Sequence, residues 1–68
     1  MSAHRILVVD DQEFYRVGLG LIIGQQADLR VAATAADADE ARSLLERQSF
    51  DLALVELALP GSSGLDLL

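Results

Sequence analysis

Three carboxylates are placed where they could do chemistry. Asp10 and Asp11 follow the apolar run Ile6-Leu7-Val8-Val9, and Glu56 stands in a later run that begins at Leu52. Acids at the ends of neighbouring strands repel unless a cation neutralises them. A hard divalent cation suits an all-oxygen donor set, and Mg²⁺ is the natural choice. The plainer alternative is that Asp10 and Asp11 cap a helix while Glu56 is a solvated strand end. Spacing alone leaves both readings open. Other reactive types carry less. His4 precedes the first run and reads as an ordinary exposed residue. Ser62 and Ser63 follow a Pro-Gly turn and read as loop solubility. Arg16 reads as solvated or paired within the chain, rather than as a contact to phosphate or a partner. Gly18, Gly20 and Gly24 do not follow the first strand directly, so they make no phosphate-binding glycine fingerprint.

Composition narrows the classes. The chain has 68 residues, 11 Asp+Glu and 5 Lys+Arg, for a formal net charge of -6. All the cations are Arg, and there is neither Lys nor Cys. One domain at most fits this length, spanning 1–68, and a domain so small is marginally stable. Without Cys there is no disulfide scaffold, thiolate site or Cys nucleophile. The acidic balance argues against nucleic-acid binding, which needs clustered cations. No run approaches the ~20 apolar residues of a membrane span, and no signal core is visible. A soluble cytoplasmic protein is the expectation.

The elements that must position the acids alternate in type. Ile6 to Val9 suits a strand buried on both faces. Phe14, Val17, Gly18, Leu21 and Ile22 then fall on one helical face, which predicts a core-facing helix started by Asp11 or Gln12 and stopped near Gly24. Leu29 to Thr34 reads as a second strand. Asp37 and Glu40 fit a capping box for a second helix, whose apolar face is Ala38, Ala41, Leu44 and Leu45. Arg42 and Glu46 are spaced for an i,i+4 pair on its other side. Leu52 to Leu57 is a third apolar run. A loop at 60–64 leads to what reads as the first turn of a third helix, Leu65 to Leu68. The order β-α-β-α-β-(α) implies a parallel sheet with right-handed crossovers. Strand order 2-1-3 would set the first and third strands side by side, about 4.8 Å apart. Ligands of such sheets sit outside the carboxyl ends of the strands.

The stretch Arg5-Ile6-Leu7-Val8-Val9-Asp10-Asp11, followed about forty residues later by Asp51-Leu52-Ala53-Leu54-Val55-Glu56 and then by Pro60 and Gly64, resembles the receiver domain of two-component response regulators. The match runs over essentially the whole chain. Phe14-Tyr15-Arg16-Val17-Gly18-Leu19 and Ala35 to Ala41 look most like the NarL/FixJ-type branch. The resemblance implies a flavodoxin-like fold, present as its N-terminal part, and a phosphoryl-transfer site. In that family the paired acids hold Mg²⁺, the second directly and the first mainly through water. These positions are Asp11 and Asp10. The acid ending the third strand accepts the phosphoryl group, and the carbonyl two residues on, here Ala58, also meets the metal. Pro60 and Gly64 shape the loop beneath.

Two departures matter. The acceptor position holds Glu56 where the family has Asp, and that longer side chain either reaches the ion or displaces its water. The family's hydroxyl residue on a fourth strand and lysine on a fifth have no counterpart here. The expectation is a non-enzymatic phosphorelay receiver module that is not phosphorylated, with a weak Mg²⁺ site. Glu56 is either inert or a weak mimic of the phosphorylated form. A sensor histidine kinase is the implied partner and a transcriptional regulator the implied parent. The open edge of the third strand predicts self-association. The alternatives are a structural dimerisation module (a pseudo-receiver) and a Mg²⁺-dependent phosphohydrolase of the haloacid-dehalogenase kind. The latter wants Asp-x-Asp and a Lys, and this chain has adjacent acids and no Lys.

Overall fold

A computed structural model of the chain describes residues 3–59 and Leu67. The expected alternation is present. It consists of β1 (His4–Val9), α1 (Glu13–Gly24), β2 (Leu29–Ala35), α2 (Ala38–Arg47) and β3 (Leu52–Val55). The three strands form one parallel sheet in the order β2-β1-β3. The chain steps from β1 out to β2, then back past β1 to β3. Right-handed crossovers in opposite directions put their helices on opposite faces. The third expected helix and the loop residues Pro60 and Gly64 lie outside the described residues, apart from Leu67.

β1 is the centre because its last four residues form a continuous apolar run that suits burial on both faces. Ile6, Leu7, Val8 and Val9 are each at most 2% exposed. Leu7 and Val9 point to the α2 side, where they pack with Ala35, Ala38, Ala41 and Leu59. Ile6 and Val8 point to the α1 side, with Ile23, Leu19, Leu29 and Val31 around them. The β1–β2 pairing slips by one residue between Ile6 and Leu7, so Ile6 faces Val31 and Leu7 faces Ala33. The β1–β3 pairing runs without a slip from Ile6↔Leu52 to Val9↔Val55.

The start of α2 follows its sequence signal in part. Asp37 Oδ1 accepts from the Glu40 backbone N–H at 2.8 Å. The return bond of a capping box does not go to Asp37. Glu40 Oε2 instead accepts weakly from the Ala36 N–H at 3.5 Å. Arg42 meets Asp39 at 3.3 Å, one turn back, and not Glu46 as its spacing suggested. Proximity to the acidic first turn of α2 favours that choice.

The apolar face expected of α1 is corrected by the fold. Phe14 is 84% exposed, and Val17, Leu21 and Ile22 are exposed as well. The helix seats on the sheet through Leu19 and Ile23, with half-buried Arg16 on the same stripe. The pattern misleads because apolar residues run almost all round α1. Arg16 marks its stripe as polar, yet the side chain is half-buried and its charged head reaches the strand end, as a long amphipathic side chain can.

At the amino end of the sheet, Arg5 ties β1 to the approach of β3. Its backbone N–H donates to Asp51 Oδ2 at 2.6 Å and its Nε to the Ser49 carbonyl at 3.1 Å. Its guanidinium also lies 5.6 Å from the centre of the Phe50 ring. His4 stands at this end too, with Nδ1 3.7 Å from Asp51 Oδ2, far along β1 from Asp10. Among the described residues no helix is long and apolar enough to cross a membrane.

This packing separates two substitutions that composition would treat alike. Leu7→Ala should cost about 2–5 kcal/mol, enough to unfold most of so small a domain. Phe14→Ala should stay within about 0.5 kcal/mol of the parent. Urea denaturation followed by circular dichroism measures both. A large loss from Phe14→Ala would restore that residue to the core.

Candidate functional site at the carboxyl ends of the strands

The central ladder continues one residue past β1 and β3, and this brings the acids together. The Glu56 N–H donates to the Val9 carbonyl at 2.8 Å, and the Asp10 N–H donates to the Ala35 carbonyl at 3.0 Å. Val9 and Val55 are register partners. Asp10 and Glu56 are therefore next neighbours across the sheet, at the point where the chain leaves β1 toward β2 and β3 arrives on the other side. That is the switch point where open parallel sheets bind ligands.

Each acid is held by its own loop. Asp10 is half-buried, and its Oδ1 accepts from the Gln12 N–H at 2.9 Å. This side-chain turn replaces a helix cap, since the Gln12 side chain makes no capping bond. Exposed Glu56 curls toward its own loop, where Oε1 accepts from the Ala58 N–H at 3.0 Å. Asp11 is exposed between them and α1. Arg16, one turn into α1, reaches back and donates from Nη1 to the Asp10 carbonyl at 2.6 Å. Residue type alone places Arg16 in solvent or in a pair within the chain. The signal for this contact is the i, i+3, i+7 stripe Arg16, Leu19, Ile23, which sets Arg16 on the sheet-facing side of α1.

Asp10 and Glu56 border a cleft of about 290 Å³ that is also lined by Val8, Val9, Leu19, Leu54 and Val55. It exists because α1 packs chiefly on β2 and β1, which leaves the same face of β3 largely uncovered.

The donor set is all oxygen and anionic, which fits a hard divalent cation rather than a soft or redox metal. Among the described residues no group of three acidic or histidine side chains converges on one point. A cation here would accordingly be held by one or two carboxylates, a carbonyl and water. Mg²⁺ tolerates such a shell, because it keeps several of its waters. Asp10 and Glu56 each have one oxygen already engaged and one left to offer.

The profile of the family described as "Response regulator receiver domain" matches residues 6–68. The response regulator protein PilR of Pseudomonas aeruginosa is 43% identical over 68 residues, covering 98% of this chain and 15% of that protein. The oxygen regulatory protein NreC of Staphylococcus aureus is 39% identical over 62 residues, covering 90% of this chain and 29% of that one. Among solved structures, the response regulator domain of Thermotoga maritima CheB superposes with a TM-score of 0.90 at 32% identity, covering 96% of this chain and 48% of that one. A LuxR-family two-component response regulator from Aurantimonas sp. SI85-9A1 gives 0.90 at 36% identity, covering 97% and 47% respectively. The complex of the P1 domain of CheA3 with CheY6 from R. sphaeroides gives 0.82 at 28% identity, covering 98% and 53%. The chain thus spans about half the length of the solved domains and 15% and 29% of these two relatives.

Proposed function

Because the chain belongs to the response regulator receiver-domain family, we propose that it serves a phosphorelay as a receiver module whose acceptor position, Glu56, does not take phosphate at ordinary rates. The observation that carries this reading is the placement of Glu56. It occupies the end of β3 beside Asp10, with its carboxylate turned onto the Ala58 N–H. An acceptor must present one carboxylate oxygen in line with the donor phosphorus. The extra methylene of Glu moves that oxygen by about 1.5 Å, and misplacement of ~1 Å costs on the order of 10²-fold. Breaking the bond to Ala58 adds to that cost. Glu56 still keeps a negative charge at the loop, so it imitates the phosphorylated state weakly, with fewer acceptor oxygens than an aspartyl phosphate.

Asp11 and the Ala58 carbonyl would hold Mg²⁺ directly and Asp10 through water, with Glu56 at the edge of the shell. When bound, the ion would neutralise phosphoryl oxygens as charge redistributes. Asp10 orients the loop through its bond to Gln12 and contributes charge. The module turns over no substrate of its own. By resemblance its partner is a sensor histidine kinase, its setting the cytoplasm and its parent a transcriptional regulator. The likeness to a LuxR-family regulator supports the latter. The phosphohydrolase alternative belongs to another family and is set aside.

A second reading, self-association, is favoured by a separate observation. β3 is an edge of the described sheet, and Leu52 and Leu54 on it are 53% and 37% exposed. None of its residues is a Lys or Pro to discourage pairing. A second copy offers the same edge under twofold symmetry. The charge of -6 on each copy opposes this, and salt relieves the opposition.

Three outcomes are expected. A few millimolar Mg²⁺ should raise the melting temperature above that in NaCl of matched ionic strength, given a Kd near ~1 mM. Coincident melts would remove the metal site. Incubation with Mg²⁺ and a small-molecule phosphodonor should leave the intact mass unchanged under acidic conditions. Glu56→Asp in a polypeptide extending through a whole receiver domain serves as the control. Phosphate localised to Glu56 at ordinary receiver rates would sink the proposal. Sedimentation at micromolar concentration should show dimers or larger species that grow with salt, whereas a well-folded monomer throughout would overturn the self-association reading.

A further inference from the structure

Among the five arginines of the chain, Arg16 stands apart by its place. Arg5 is spent at the amino end of the sheet, and Arg30 is its register partner there. Arg42 pairs with Asp39, and Arg47 donates to the Ser43 carbonyl within α2. Arg16 is half-buried and bonded to the main chain of the acidic loop itself, 2.6 Å from the Asp10 carbonyl. That carbonyl belongs to the peptide joining Asp10 to Asp11. Its orientation therefore decides where the Asp11 side chain leaves the end of β1. The Asp10 side chain holds the other side of the same turn through the Gln12 N–H.

We propose that Arg16 is the positioning residue of the acidic site, fixing the Asp10–Asp11 peptide so that Asp11 can serve a divalent cation. This rests on the reading of Asp10, Asp11 and Glu56 as a cation site. Two effects oppose each other. The guanidinium is always charged and repels a cation through space. Its hydrogen bond pre-orders a ligand that is otherwise exposed and free to turn. The through-space effect is screened by salt at an exposed site. Groups that orient metal ligands are typically worth 10–100-fold in affinity. Positioning is thus the larger effect at ordinary ionic strength. The four guanidinium donors left over after this bond also remain available for water or an anion beside the loop.

The test uses the 68-residue chain as wild type, Arg16→Ala and Arg16→Lys. Mg²⁺ is titrated in 0.15 M NaCl while the amide resonances of Asp11, Gln12 and Ala58 are followed. Exchange of the same amides is measured in parallel without metal. The expected result is an Mg²⁺ affinity lowered about tenfold or more in Arg16→Ala. Arg16→Lys, which keeps the charge and a donor, should recover most of it. Metal-free exchange should quicken at residues 11–12 in Arg16→Ala and not in β1. Arg16→Lys carries the comparison if Arg16→Ala unfolds, and it should then bind within about threefold of wild type. Equal or tighter binding by Arg16→Ala would overturn the inference and leave the cation site standing, because Arg16 would then act only as a repelling charge or not at all. A wild type whose amides ignore Mg²⁺ would overturn the cation site and this inference with it.

Discussion

The two-sided burial of β1 is what everything else hangs on. Ile6 to Val9 exclude water on both faces, and both edges of the strand are satisfied by parallel partners. The buried part of such a strand has to give up polar residues, and from Ile6 to Val9 it does so. Polar residues return where the sheet opens, at Asp10 and Asp11. Because β3 pairs with β1 in unbroken register, its own first acid, Glu56, arrives at the same level. The acidic site is thus a consequence of core packing. A one-residue slip in the β1–β3 register would separate Asp10 from Glu56 and turn the side chains of β3 to the opposite faces.

The electrostatics of that end are managed locally. Asp10 and Glu56 each turn one oxygen to a backbone N–H two residues on, while Arg16 covers the carbonyl between the paired acids. These bonds stabilise the site without a metal, and they also define what any ligand must displace. Glu56 makes the same i→i+2 bond as Asp10, with a side chain one methylene longer.

The two faces of the sheet are unequally closed. The α2 side gathers Leu7, Val9, Ala35, Ala38, Ala41 and Leu59 into one cluster. On the α1 side the helix leans over β2 and β1, and the cleft beside Leu19 and Leu54 remains open. The outward stripe of α1, with Phe14 and Leu21, adds further exposed apolar surface. It also makes the α1 side the place where association would alter the site, since Arg16 and Leu19 belong to the same helix as that stripe.

How much could be read before folding differs from residue to residue. The run Ile6 to Val9, the change of period after it, the cap at Asp37 and the alternation of strand and helix are local patterns, and each corresponds to an element of the fold. Alternation does not by itself choose a strand order; order 2-1-3 stood as a condition for setting Asp10 beside Glu56, and the sheet has that order. The seating of α1 was not legible. Phe14, Val17, Leu21 and Ile22 form as good an apolar stripe as Leu19 and Ile23, and Arg16 argues by its charge against the stripe that the sheet selects. Pattern registers the polarity of a whole side chain, whereas packing acts on the stem and the head of Arg16 separately. The return bond of Glu40 to Asp37 and the pair of Arg42 with Glu46 are expected from spacing and not formed, and the donor to Glu56 is not given by spacing at all, for a related reason. Each has more than one partner within reach along the chain, and the choice rests on differences of an ångström or two that only the assembled backbone sets. Sequence by itself determined which residues could be central, which could be helical and which acids would stand at strand ends. Tertiary structure decided which face of α1 is buried and which donor each of those side chains meets, because those outcomes depend on distances between segments far apart in the chain.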